Sequence, residues 1–142
     1  MKYFLMIIFI GVLDASTARI LTYNLLNYED ENNREDDYVM ILDLVEPDLI
    51  IAQEIIGQTG YSHFQSDVLD VLEPNIWSSA PFTNQSAQQD IALYYKSDIF
   101  TFIGTSVVYT AQSSGTRDVI EWVMLHNLSG VEFNVLSLIH IS

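Results

Sequence analysis

The chain has 142 residues, enough for one domain, and 49% of them are hydrophobic, which is ample for a buried core. It has no cysteine, so no disulfide framework supports it and the core must hold it alone. Five basic residues stand against 19 acidic ones, a net charge of −14, which argues against a protein that grips nucleic acid through a basic surface.

Residues 1–18 read as a targeting segment. Lys2 supplies a positive start, 3–13 form an apolar run, and Ser16-Thr17-Ala18 sets small residues before a cut. A membrane span needs about 20 apolar residues and this run is near half that, so export is favoured over anchoring. The mature chain, 19–142, is expected to carry no membrane span and to be secreted, periplasmic or on the cell surface. The absence of cysteine fits a bacterial setting. Removing Lys2 and Asp14 takes one charge of each sign, so the mature chain keeps a net −14.

Ile20 to Leu26, within ILTYNLLNY (20–28), then read as a strand, followed by the acidic run YEDENNREDD (28–37). Carboxylates ahead of a helix favour its dipole, and the run lacks the spaced oxygens and central glycine of a calcium loop. Tyr38, Ile41, Leu42 and Val45 recur at helical spacing, and Pro47 ends that helix. A short strand over 49–52 leads to Glu54. A second helix is predicted over 61–72, with Phe64, Val68, Leu69 and Leu72 on one face and Pro74 as its stop. The stretches ILDLVEPDLI (41–50) and VLDVLEPNIW (68–77) echo each other as helix end, Glu-Pro stop and strand entry. From Ile91 onward strands are predicted at 91–95, 99–109, 118–125 and 131–138, with Asn127-Leu128-Ser129-Gly130 as a hairpin turn. This alternation is that of an α/β chain.

Two of these strands end abruptly in polar side chains able to ligate a metal: Asn24 in the first, and Glu54 in DLIIAQE (48–54). Burying an amide and a carboxylate at strand ends costs desolvation energy unless something, typically a cation, compensates them. With a helix between the strands, both side chains can reach one sheet edge. Standing alone, Glu54 reads better as a strand-end carboxylate paired with Arg117 or Lys96. Asn24 alone reads as a turn-forming residue, a role that Asn27 fits better.

The order of four motifs reverses that balance. The TYN and QE strands resemble the opening of the endonuclease/exonuclease/phosphatase superfamily, whose fold is deoxyribonuclease I-like. DIALYYKSDIF (90–100) is similar to the family's next core strand, which ends in Tyr-Lys or Tyr-Arg. GTRDVIEWVML (115–125) is similar to the strand led by Arg-Asp or Arg-Glu. The resemblance implies an α/β (α+β) architecture, a two-sheet α-β-β-α sandwich, of which residues 19–142 form roughly the first half. The family's Asp-x-Asn strand and terminal Asp-His pair do not occur, so these residues alone are expected to be inactive.

The resemblance also implies a chemistry. Glu54 would ligate Mg²⁺, with Mn²⁺ or Ca²⁺ as alternatives, and Asn24 would assist at the metal or a phosphate oxygen. Arg117 would contact the phosphate through its fork of donors. Asp90 and Asp118 are supporting candidates. A solvent-facing Asp90 is the blander reading, with a one-residue offset to Gln89 left open, and Arg117-Asp118 reads equally as an ion pair opening a strand. The family places a histidine where this chain has Ile139, so His140 would point to the opposite face of its strand. His63 and His126 read as surface residues. The tail SLIHIS (137–142) resembles translated sequencing-adapter read-through, and the match to the family decays there, so the tail is expected to be an artefact of a truncated read.

The expected function is thus a secreted, metal-dependent phosphoester hydrolase, with a nuclease or phosphodiesterase on DNA or RNA leading. A sphingomyelinase-like enzyme acting on phospholipid head groups, or a sugar-phosphate phosphatase, is the alternative that the acidity favours. A non-catalytic secreted binding module is the rival from another class.

Overall fold

The computed structural model describes residues 17–29, 33–84, 89–108 and 119–138. The targeting segment before Thr17, together with Arg117, Asp118, Ile139 and His140, lies outside the described residues.

The first strand, β1 (Ile20–Tyr28), leads to helix α1 (Glu35–Val45) and strand β2 (Leu49–Ile55). Glu35, Asp36 and Asp37 occupy the first turn of α1, where negative charge favours the dipole. The helix stops at Glu46, which turns left-handed and returns its N–H to the Leu42 carbonyl at 2.8 Å, just before Pro47. The second helix starts earlier than its apolar spacing indicates. Helix α2 (Gly57–His63) continues into a π-helical stretch (Phe64–Leu69) and a last turn, α3 (Asp70–Leu72). Phe64, Val68 and Leu69 are buried, in agreement with the spacing.

The remaining strands are β3 (Trp77–Ser79), β4 (Asp90–Lys96), β5 (Phe100–Val108), β6 (Val119–His126) and β7 (Val131–Ser137). Both Glu-Pro echoes prove to be helix-to-strand turns, the first feeding β2 and the second β3. One sheet has the order β1-β2-β4-β3, with β1 and β2 parallel around α1 and the other pairs antiparallel. The second is the antiparallel meander β5-β6-β7.

Alternation along β2 and β4 builds two cores. Ile50, Ala52, Ala92 and Tyr94 face the helices and pack with Leu25, Tyr38, Leu42, Phe64 and Val68. Leu49, Ile51, Ile91 and Leu93 face the second sheet and pack with Phe100, Ile120, Trp122 and Met124. The described residues therefore form helix, sheet and sheet in three layers. Strand β2, apolar on both faces, reads as the continuous run expected of a buried strand. The first core is unusually aromatic: Tyr28, Tyr38 and Phe64 meet edge-on with centroids 5.5–5.8 Å apart.

Candidate active site

The carboxyl ends of the parallel pair β1 and β2 lie side by side, and both are irregular there. Along β2 Gln53 faces the second sheet, where its Nε2 donates to the Leu138 carbonyl at 3.4 Å. Ile55, two residues on, packs among the helices instead. Regular alternation would put both on the same face. Glu54 is the extra residue: it has φ +60°, and the pairing of β2 with β4 shifts register around it. Without this bulge Glu54 would point with Ile50 and Ala52 into the helical core. The bulge delivers Ile55 to that core and leaves the carboxylate half-exposed at the rim.

Strand β1 has its own irregularity. Leu26 and Asn27 are left-handed, with φ of 50° and 56°, and the β1–β2 register shifts between Asn24 and Tyr28. The Asn24 side chain stands just before this bend. Its Oδ1 accepts the Leu26 N–H at 2.8 Å, and its Nδ2 donates to Glu54 Oε1 at 2.8 Å. The first bond dictates the second, because an amide whose oxygen faces an N–H must turn its NH₂ the other way.

Neighbouring elements hold this end in place. The Ile56 N–H donates to the Tyr28 carbonyl at 3.0 Å and the Gly57 N–H to Asp90 Oδ2 at 3.2 Å. Gly60 lets α2 press against β1: a Cβ there would lie 3.0 Å from the Tyr28 carbonyl oxygen. Gln89 Nε2 donates to Asn27 Oδ1. Arg34, at the start of α1, donates from Nη1 to the Leu25 carbonyl at 3.1 Å and from Nη2 to the Leu26 carbonyl at 3.0 Å.

These positions correct two readings of the sequence. Asp90 is not solvent-facing but buried at 1% exposure, because β4 turns it toward the helices, where the start of α2 offers an N–H. Lys96 does not partner Glu54. It lies at the other end of β4, 2.9 Å from Glu73 and 3.9 Å from Asp48, and the antiparallel register sets Asp90, not Lys96, beside the end of β2. His63 is exposed as expected and pairs with Glu29 at 3.0 Å. His126 bonds to Ser129 at 2.7 Å in the hairpin turn and shares a cavity with Ile20, so it belongs to the opposite end of β1 from Asn24.

Asn24 and Glu54 thus come together, with Asp90 and Arg34 acting on their supporting backbone. Arg34 had a weak signal in the sequence, as the one cation within the acidic run 28–37. The Glu54 carboxylate suits a hard divalent cation as an oxygen donor of negative charge. Asn24 is not placed as a ligand, because its oxygen accepts the Leu26 N–H and its NH₂ faces the carboxylate. Among the described residues no group of three or more His, Cys, Asp or Glu gathers there, so the fit is to an ion held by one carboxylate and completed by water and substrate oxygens.

No family model matches the chain, and no curated protein matches its sequence. Its fold does match solved structures. An endonuclease/exonuclease/phosphatase family protein from Bacteroides thetaiotaomicron aligns with a TM-score of 0.61 at 12% identity, over 84% of this chain and 48% of that one. D. rerio TDP2 complexed with a single-strand DNA product aligns with a TM-score of 0.58 at 12% identity, over 82% and 43%. The human Nocturnin catalytic domain with bound sulfate aligns with a TM-score of 0.56 at 14% identity, over 84% and 48%. The chain spans less than half the length of each of these structures, and over that span it has the deoxyribonuclease I-like fold of the endonuclease/exonuclease/phosphatase superfamily.

Proposed function

We propose that the chain is the N-terminal part of a metal-dependent phosphoester hydrolase, exported by the segment 1–18, with Asn24 and Glu54 at the reacting end. The observation that carries this is the 2.8 Å bond from Asn24 Nδ2 to Glu54 Oε1 at the joined ends of two bulged parallel strands, on a fold shared with TDP2 and Nocturnin. The bulge that seats Ile55 in the core also holds a carboxylate at the rim with φ +60°, and backbone strain of this kind collects where a site needs it.

Glu54 supplies negative charge to a Mg²⁺, Mn²⁺ or Ca²⁺ ion. The chemistry such an ion supplies when bound is neutralisation of charge on the phosphoryl and leaving-group oxygens. Asn24 holds the Glu54 carboxylate in one rotamer without adding charge next to an anionic substrate. Its Nδ2 keeps a second hydrogen, which can turn to a phosphate oxygen. Arg117 is the proposed phosphate contact, with Asp118 beside it. The family's general base would come from outside these residues, and His140 is not assigned that role.

A nuclease or phosphodiesterase is the first reading, supported by the DNA product seen on TDP2. The net charge of −14 favours a second, a phosphoester with little backbone charge, such as a phospholipid head group or a sugar phosphate. The test is hydrolysis by the intact protein of single-stranded DNA, sphingomyelin and a sugar phosphate in parallel, with Mg²⁺ and with chelator. Glu54→Gln is expected to lower turnover by orders of magnitude while the fold persists. Wild-type turnover in that variant, or full activity in chelator, would overturn the metal-dependent reading; loss of DNA cleavage alone would leave the second substrate class standing.

A further inference from the structure

We propose that Arg34 is the positioning residue for Asn24, acting as a clamp on the bend of β1. The proposal rests on the reading of Asn24 and Glu54 as the reacting end. Arg34 lies between Asn33 and a run of three acidic residues, Glu35, Asp36 and Asp37. Its guanidinium turns back to the end of β1. Nη1 and Nη2 reach the carbonyls of Leu25 and Leu26 at 3.1 and 3.0 Å, and the guanidinium carbon sits 5.5 Å above the Tyr38 ring centroid. The Tyr38 hydroxyl donates to the Leu25 carbonyl too, at 2.8 Å, so the first turn of α1 grips one peptide of β1 from two side chains.

The gripped peptide joins Leu25 to the start of the bend. Leu26 and Asn27 are consecutive non-glycine residues in the left-handed region; asparagine visits it readily, but a leucine there carries strain that its surroundings must hold. The N–H of Leu26 is the donor that fixes Asn24 Oδ1 and so aims Nδ2 at Glu54. If the Leu25–Leu26 segment relaxes toward extended geometry, that N–H rotates away and the Asn24 amide loses its orientation. Two successive carbonyls call for two diverging donors on one rigid plane. A guanidinium provides them and an ammonium does not.

The test has a metal-independent and a metal-dependent arm, both on the intact protein. In metal-free protein the Asn24 side-chain NH₂ is followed by NMR in wild type, Arg34→Lys and Arg34→Ala. Mn²⁺ affinity is then measured by titration calorimetry in the same proteins and in Glu54→Gln, with circular dichroism reporting the fold. Arg34→Lys, which keeps the charge and the stem, should move the Asn24 amide resonances to those of a free amide and weaken Mn²⁺ binding about tenfold. Millimolar guanidinium should restore part of the affinity lost by Arg34→Ala, a rescue that a merely structural defect would not show. Unchanged Asn24 resonances in folded Arg34→Lys would overturn the proposal, and that variant decides if Arg34→Ala fails to fold. Wild-type Mn²⁺ affinity in Glu54→Gln would instead sink the metal reading, while the Asn24 resonances still report on Arg34.

Discussion

Comparing Gly with Ala at position 54 isolates the backbone of the bulge from its chemistry. Both substitutions delete the carboxylate and its bond to Asn24, so those losses cancel between them. Glu54 has φ +60°, where a residue with a Cβ carries about 1–2 kcal/mol of strain that glycine escapes. Glycine's larger unfolded-state freedom works against it by about 0.5–1 kcal/mol. The balance leaves Glu54→Gly more stable than Glu54→Ala by about 0.5–1 kcal/mol, roughly 2–5 °C in Tm for a domain near this size. At an ordinary strand position the order is reversed. Urea unfolding of the two variants, followed by tryptophan fluorescence from Trp77 and Trp122, measures the difference. An alanine variant as stable as the glycine variant would refute the strained bulge and the account of how Glu54 reaches the rim.

Gly60→Ala would set a methyl 3.0 Å from the Tyr28 carbonyl oxygen and 3.1 Å from Ile55 Cγ2, so α2 must shift, at a cost of about 1–3 kcal/mol. Denaturant unfolding checks it, and an unchanged midpoint would contradict the close approach of α2 to β1. Burial holds the Tyr94 phenol well above its usual pKa of 10.0, and its hydroxyl donates to the Tyr61 carbonyl at 2.9 Å. Because the folded value is the raised one, the stability it contributes is complete below the unfolded pKa and is lost as pH rises from there toward the folded value. Stability should therefore hold to near pH 9 and fall from about pH 10 upward. Tyr94→Phe should lose about 1 kcal/mol at neutral pH but show a shallower alkaline decline, with Tyr28, also raised by burial, keeping part of it. Parallel declines in the two proteins would refute the role of Tyr94.

Most of the fold was legible because its signals are local. The spacing of Tyr38 and Leu42, the stops at Pro47 and Pro74, and the apolar run of β2 depend only on periodicity and backbone sterics. Apolar spacing starts the second helix at Tyr61, too late, because Gly57, Gln58, Thr59 and Gly60 carry no apolar stripe. Their helical start depends on Asp90 and on contact with β1, both distant in sequence.

The candidate site divides in the same way. That Asn24 and Glu54 lie toward the carboxyl ends of neighbouring strands could be read along the chain, since a helix joining two apolar runs makes them parallel neighbours, although β1 runs on past Asn24 to Tyr28. Three features could not: the left-handed turn at Glu54, the burial of Asp90, and the grip of Arg34 on Leu25 and Leu26. A bulge inserts one residue into a pairing whose partner strand is distant in sequence. Its presence therefore depends on which residue must reach the core, here Ile55, and not on the propensity of Glu54. An arginine in an acidic run looks like a solvated ion, and only the return of β1 beneath α1 supplies the two carbonyls that claim it. Local pattern thus decided the elements and their order. The direction of each reacting side chain was decided by long-range register and by donors from other elements, because hydrogen bonds between distant segments leave no periodic trace in either one.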